Sequence, residues 1–588
     1  MKSYKIFTLS ICLLYSVFSN ISYGQTSKAK KQTTPDLGIQ LSKRQIKIQK
    51  NQLYLNFPVS EASALKKTRI LANGKVLDEF TLGLSAGEPD HWVFFDVKNY
   101  QGKTLSIEAE NVEQPQVLEK IFADKQFPGQ EEVYKEKLRP QVHFSARRGW
   151  LNDPNGLIHY NGEYHLFFQH NPYGWQWGNM HWGHAVSKDL LHWQELSDAL
   201  YTPKHEDMAF SGSAITDPTN TSGFRKNGID PLIAVYTSTG RGECLALSYD
   251  NGRTFKDYEG NPVVKHKGRD PKVFWYQPGN HWVMVVYDES HSKNISAGLK
   301  SMNREFSFYN SPDLKNWTYQ SSIPGFFECP ELFQLEVQGA PNQKKWVMYA
   351  ADGKYKVGDF DGKKFTPEQD FRTYDHGGAF YASQTYNNIP EKDGRRIQIG
   401  WSRIPLENMA FNQFMAFPTE LKLSKSFDGY RLCPQPVQEI KSLYKSNNVY
   451  QNMVLNKENP DFTAPIKADV VHLVAEFERG DCNDFGLNIN GYELNYSNLF
   501  TDLNKINYSV TEESIFKIEA IVDKAVIEIY VNDGEMYFVK PWNSVTAEKQ
   551  IKAFAKGLEE GHKAVLKKLE VHELHSVWPE KTVTTVLK

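Results

Sequence analysis

The sequence predicts an all-β fold: a five-bladed β-propeller followed by a C-terminal β-sandwich, with an additional small N-terminal β-sandwich. Three observations carry this. Short apolar runs rich in aromatic and β-branched residues alternate with polar runs over most of the 588 residues. Asn73-Gly74, Asn490-Gly491 and Asp533-Gly534 stand between such runs as hairpin signals. Through the middle of the chain a polar turn recurs about every 60 residues, the spacing of propeller blades.

Residues 1–24 read as a signal peptide. Lys2 and Lys5 precede an apolar stretch from Ile6 to Phe18, and Ser22 and Gly24 are small residues suited to cleavage. The stretch is shorter than the ~20 residues of a spanning helix, so the expectation is export to the periplasm or the exterior, without membrane insertion. Residues 25–135 form the N-terminal module and its linker, with strands around Leu53-Tyr54-Leu55, Trp92-Val93-Phe94-Phe95 and Leu105-Ser106-Ile107. A charged stretch from Glu131 to Arg139 leads onward.

Residues 136–445 carry the repeat. Ser187-Lys188-Asp189-Leu190-Leu191-His192-Trp193 returns as Ser311-Pro312-Asp313-Leu314-Lys315-Asn316-Trp317. A looser copy runs from Ser248 to Phe255, and a weaker relative from Asp359 to Phe365. Each is a polar turn closed by an aromatic, and about 300 residues at this period make five blades. On the residues alone, an irregular sandwich is the alternative. Residues 446–588 alternate again, most clearly in Ile527-Glu528-Ile529-Tyr530-Val531, and read as the C-terminal sandwich.

The 68 Lys+Arg against 70 Asp+Glu leave a net charge of −2, which offers no basic field for nucleic acid. Beyond Cys12 of the leader, Cys244, Cys329, Cys433 and Cys482 are scattered without a C-x-x-C pair. They suggest neither zinc nor redox chemistry and read as free, mostly buried thiols. His181 and His184 hint at a metal, but side chains three apart on a strand point to opposite faces. No metal or cofactor is expected. Oligomeric state is not readable.

Three acidic residues stand in unusual company. Asp153 lies in Trp150-Leu151-Asn152-Asp153-Pro154-Asn155-Gly156, where Pro154 fixes the backbone and Gly156 permits a tight turn, predicting a rigid strand-to-turn corner. Asp270 follows Arg269, whose charge would keep it ionised. Glu328 lies between Phe326-Phe327 and Cys329-Pro330, apolar surroundings that would suit a proton donor. Read singly, the Asp153 motif is equally compatible with a polar surface turn, and the Asp270 motif reads more readily as a surface ion pair.

Together they resemble glycoside hydrolase family 32, the invertase, inulinase and levanase family. The shared runs are W-L-N-D-P-N-G at 150–156, H-L-F-F-Q at 165–169, W-G-N-M-H-W-G-H-A at 177–185, F-S-G-S-A at 210–214, R-D-P at 269–271 and F-E-C-P-E-L at 327–332. The resemblance implies a retaining glycosidase of β-fructofuranosyl bonds on a five-bladed propeller with a β-sandwich behind it. It assigns Asp153 as nucleophile, Glu328 as general acid/base and Asp270 as transition-state stabiliser. Sugar contacts fall on Asn152, Gln169, Trp177, Phe210, Ser211 and Arg269, with a further wall from Asp375 and Trp401. Leu151, Phe327 and Glu331 depart from the family's usual methionine, tryptophan and aspartate. The N-terminal module resembles one attached to some bacterial members.

The expected substrate is levan, inulin, a fructo-oligosaccharide or sucrose, with exo release of fructose. Endo-levanase and sucrose-specific invertase are the alternatives within the family. A catalytically dead fructan-binding propeller is a different class, and the intact acidic trio argues against it. Linkage preference and chain length rest on loop shape.

Overall fold

The computed structural model describes residues 39–290, 304–496, 515–543 and 549–579; the leader expected over 1–24 lies outside them. The regular structure of the described residues is strand apart from short 3-10 helices, and none of their helices is long and apolar enough to cross a membrane.

Two small sheets come first. Leu41–Lys47, Thr104–Glu110, Lys66–Ala72 and Lys75–Leu82 make one, in that spatial order; His91–Asp96, Tyr54–Val59 and Phe122–Asp124 make the other. Alternation puts Leu55, Phe57, Ile70, Phe80, Val93 and Ile107 into a common buried core. The hairpin at Asn73-Gly74 forms as its composition requires, with both residues at positive φ (49° and 78°). The charged stretch behind these sheets exposes Glu131, Glu132, Lys135 and Lys137 but ends on a buried cation. Arg139 is fully buried, with its guanidinium 3.5 Å over the Phe411 ring and bonded to Ser145 Oγ (2.8 Å) and the Ala146 carbonyl (2.6 Å).

From Gly149 to Pro436 the described residues form five antiparallel sheets in succession. Their first strands are Gly149–Tyr160, Ala209–Ile215, Gly268–Tyr276, Glu331–Glu336 and Phe380–Thr385. Cross-links run among these strands: Gln384 Nε2 donates to the Gly212 carbonyl (3.0 Å), Lys272 Nζ to that of Thr385 (2.9 Å), and the Val273 amide to Ser213 Oγ (3.0 Å). Phe411–Asn412, from the fifth sheet's region, pairs in parallel with Gly149-Trp150 of the first.

The recurring turn joins the last two principal strands of each sheet. Ser187, Ser248 and Ser311 donate to the aspartate two residues on (3.0, 2.7 and 3.2 Å), and that aspartate accepts main-chain N–H groups beyond it. These bonds hold the following residue in the left-handed region even where it is leucine: Leu190 and Leu314 have φ of 69° and 64°. A fifth copy, which the sequence reading passes over, is Ser426-Phe427-Asp428-Gly429, with Ser426 Oγ 2.5 Å from Asp428 Oδ1.

Two further sheets, of six and four strands, enclose a core of Leu473, Phe477, Leu487, Phe516, Ile529 and Phe538 among others. A buried polar cluster ties them to the preceding sheets. His143 Nδ1 meets Asp523 Oδ2 at 2.9 Å and His143 Nε2 meets Glu528 Oε1 at 3.2 Å, while Tyr530 and Tyr537 donate to Glu528 Oε2.

Candidate active site

Where the first strands of the sheets meet, four of them slip register. The slips fall between Leu151 and Pro154, Ala209 and Gly212, Arg269 and Lys272, and Tyr381 and Gln384. The residues left out of the ladders there are Asn152-Asp153, Phe210-Ser211, Asp270-Pro271 and Ala382-Ser383, and a second slip in the first strand, between Asn155 and Ile158, leaves out Gly156-Leu157. A bulge frees a residue from strict alternation and re-aims its side chain. Asp153 therefore sits at a bulge inside one twelve-residue strand, Gly149–Tyr160, not at the strand-to-turn corner expected from Pro154 and Gly156. Gly156 is needed for another reason. It has φ of 52°, and a Cβ there would lie 2.8 Å from the Phe167 ring and 3.0 Å from that of Trp182.

Asp153 accepts from Ser211 Oγ (2.7 Å) and Asn152 Nδ2 (3.1 Å); Asn152 Oδ1 in turn accepts from Trp150 Nε1 (2.9 Å). Asp270 has φ of 67°, and its amide donates to Thr237 Oγ1 (2.9 Å). Glu328 and Cys329, just before the fourth sheet, have φ of 59° and 44°. Such a run of left-handed non-glycine residues costs energy and persists only where the surroundings enforce it. Here the Ala351 amide binds the Glu328 carbonyl (3.1 Å) and the Cys329 amide donates to Asp270 Oδ2 (3.2 Å). The Cys329 thiol touches Oδ2 of both Asp153 (3.6 Å) and Asp270 (3.7 Å), so the three acidic residues meet around one residue.

The Glu328 carboxylate is bonded to Arg269 and accepts from Tyr381 Oη (2.7 Å). This corrects two expectations. The closest anionic partner of Arg269 is Glu328, with Asp270 at 3.7 Å. Glu328 is held by a cation and a hydroxyl rather than sealed among apolar side chains; Phe327 instead packs under Arg304 (3.9 Å).

Burial pushes Asp270 up to about 8, assisted by the charges of Glu328 and Asp153 and opposed by Arg269. Arg269 thus acts in the expected direction, but desolvation wins. Burial also raises Asp153, against the hydrogen bonds from Ser211 and Asn152. The Arg269 guanidinium contacts two of the three carboxyl groups, those of Glu328 and Asp270.

Trp177, 53 % exposed, meets Phe210 edge to face at 6.0 Å, and Trp401 stands edge-on to Trp150 (5.9 Å) and Tyr381 (6.2 Å). Gln169 is buried and donates to the Ala209 carbonyl (3.0 Å). Asp375 is not in contact with the acidic trio. Its Oδ1 accepts from the Gly377 amide (3.0 Å), burial pushes it up to about 7, and its nearby cation, Arg403, covers the Tyr381 ring at 4.3 Å. Glu331 is fully buried against Lys272 (2.9 Å) and Thr385 (2.6 Å).

Tyr381, Cys329 and Thr237 are site residues that sequence reasoning misses as such. Tyr381 lies inside the D-H-G-G-A-F-Y-A run already singled out for Asp375, and Cys329 inside F-E-C-P-E-L. Thr237 carries no local signal. The histidines disperse: His181 reaches Asp78 (2.9 Å), His184 meets His165 (3.0 Å), and His170 meets Asp198 (2.8 Å). No group of His, Cys, Asp and Glu able to hold a metal occurs among the described residues.

Comparison with known proteins fits this geometry. Residues 143–436 match the profile described as the glycosyl hydrolases family 32 N-terminal domain. The levanase of Bacillus subtilis (strain 168) is 35% identical over 505 residues, covering 76% of this chain and 72% of that protein. An extracellular exo-inulinase of Aspergillus niger is 29% identical over 540 residues, covering 76% and 96%. The structure of the fructofuranosidase from Schwanniomyces occidentalis complexed with fructose superposes with a TM-score of 0.64 at 25% identity, over 76% of this chain and 99% of that one.

Proposed function

The chain belongs to glycosyl hydrolase family 32 and is a glycosidase, and from that premise we propose that it hydrolyses β-D-fructofuranosyl bonds with retention, releasing fructose from fructan chain ends and from sucrose. The observation that carries this is the meeting of Asp153, Asp270 and Glu328 around Cys329, the first two delivered by strands of different sheets and Glu328 by the segment that leads into a third. Asp153, held at Oδ2 by Ser211 and at Oδ1 by Asn152, attacks the anomeric carbon. Glu328, positioned by Arg269 and Tyr381, gives its proton to the departing oxygen. The fructosyl–aspartate ester forms as the glycosidic C–O bond breaks; water, giving a proton back to Glu328, then attacks the same carbon and frees Asp153.

The transition state is oxocarbenium-like. Asp270, fixed through its own amide and that of Cys329, binds ring hydroxyls and tightens as charge develops. Trp177, Phe210 and Trp401 line the C–H faces of the sugar.

In this reading the five sheets are propeller blades spanning 136–445, closed by the Phe411–Gly149 pairing, with sandwiches over 25–135 and 446–588. Export fits the leader pattern at 1–24, and a relative is named extracellular. The test is the product profile on levan, inulin and sucrose together with Asp153→Ala. Free fructose from the wild type and none from the folded variant is the expected result. A ladder of oligosaccharides means endo action, and fructose release by the variant removes Asp153 from its role.

A further inference from the structure

The connection between the second and third strands of the first sheet, from Asn171 to His181, carries Trp177 at its tip. Its inner side is tied by Asn171, whose Oδ1 accepts from the Tyr173 amide (3.1 Å) and Asn179 Nδ2 (3.0 Å), and whose Nδ2 donates to the Gln176 carbonyl (2.8 Å). Its outer side is held by the N-terminal sheets. The Tyr173 ring stacks on Phe80 at 3.6 Å, and its hydroxyl donates to Asp78 Oδ2 (2.5 Å). The Asn179 amide takes the Thr81 N–H (2.8 Å) and donates to the Thr81 carbonyl (2.9 Å). Trp175 stacks on His91 at 4.2 Å. Asp78, Phe80 and Thr81 all lie on Lys75–Leu82, the edge strand of its sheet, so the loop also covers an edge that would otherwise be open to pairing.

Trp177 thus stands between two residues, Trp175 and Asn179, that the N-terminal sheets grip. We infer that these sheets are a specificity element of the active site: they position Trp177 against Phe210 and so shape the wall that receives the fructosyl substrate. This rests on the fructosidase reading above. Phe210 is adjacent to Ser211, which holds Asp153, so a shift of the Trp177 loop reaches the sugar without touching the reacting groups. His91 serves as an uncharged plate. Burial lowers it to about 4, and neither ring nitrogen makes a hydrogen bond among the described residues. Its contribution is the stack itself, which makes it a positioning residue.

The test uses the full chain with His91→Ala, His91→Phe and Trp177→Ala, and the doubly substituted His91→Ala/Trp177→Ala. His91→Ala removes the plate and is expected to raise KM for the fructan about five- to tenfold with kcat within about twofold; His91→Phe restores both. In the Trp177→Ala background His91→Ala has no further effect, because both act through one contact. Independently of turnover, amide hydrogen exchange over residues 172–180 speeds up in His91→Ala and not in His91→Phe. Additive effects on KM, or unchanged exchange over 172–180 in folded His91→Ala, would overturn the inference. A wild type that releases no fructose, but whose loop exchanges faster in His91→Ala, defeats the fructosidase reading and leaves the positioning of Trp177 standing.

Discussion

The hydroxyl of Tyr381 donates to Oε2 of Glu328 at 2.7 Å, and the same carboxylate is bonded on its other oxygen to Arg269. A proton donor held at both oxygens has its orientation fixed before substrate arrives, which removes a rotational cost from the transition state. Tyr381→Phe keeps the ring against Trp401 and deletes only this bond. Turnover of sucrose or fructan is expected to fall about tenfold, the scale of one hydrogen bond to a charged group. An aryl fructoside with an activated leaving group should lose much less. Equal losses on both substrates would show that Tyr381 does not act through Glu328.

Asp270 predicts a trade of stability against activity. Its carboxyl ionises near 3.8 when unfolded and near 8 in the fold. As pH rises through that window the unfolded state gains its charge first, so the fold loses stability, at about 1.4 kcal/mol per unit. Asp270→Asn abolishes that cost, and asparagine tolerates the left-handed backbone at this position. At pH 7 the variant escapes ~4 kcal/mol of ionisation cost but buries an amide in its place, so it should be nearly inactive yet about 1–2 kcal/mol more stable. A melting temperature at or below wild type in a thermal scan would contradict the burial argument.

Much of this site is legible in the sequence because its parts are local. The motifs around Asp153, Asp270 and Glu328 name the acids, and the Ser-x-Asp turn is visible because its bonds span two or three residues. The fifth turn escapes notice because Tyr430 follows Gly429 at once, without the spacer that precedes Trp193 and Trp317. Bulges are invisible until a partner strand sets the register, so Asp153 reads as a turn residue. Arg269 reads as the partner of its neighbour Asp270 and does lie 3.7 Å from it, but Asp270 sits at a bulge with positive φ, and the nearer partner of the guanidinium is Glu328, 59 residues on. Thr237 and Tyr381 act across sheets, and only the assembled fold brings them in.

A second pH dependence lies far from the acidic trio. His143 is buried between Asp523 and Glu528 and, although burial opposes it, those partners raise it to about 9. An unfolded histidine titrates near 6.5, so its stabilisation is complete below that pH and is lost as pH rises through about 9. The amount is on the order of 3 kcal/mol. His266, between Glu243 and Asp288, behaves in the same sense. The melting temperature should therefore fall from pH 6.5 to 9.5, and His143→Gln should lower it at pH 6 while flattening that fall. A flat profile in the wild type would refute the charged form of both histidines.

The last prediction separates Glu328 from Asp153. Protonation of the leaving oxygen matters in proportion to its basicity, whereas the nucleophile is needed whatever departs. Glu328→Ala should keep much of its first step on an activated aryl fructoside and lose most of it on sucrose. Its second step still lacks a base for water, so the fructosyl–enzyme should accumulate as a burst, and azide, which needs no deprotonation, should release it. Asp153→Ala should show neither burst nor dependence on the leaving group. Glu331 cannot stand in for Glu328, since it is fully buried and committed to Lys272 and Thr385. Glu331→Gln is expected to cost stability, about 3–5 kcal/mol for a broken buried pair, without changing the ratio of the two substrates. Pre-steady-state kinetics on both substrates decide the matter: equal loss in Glu328→Ala, with no azide rescue, would mean that Glu328 is not the acid/base.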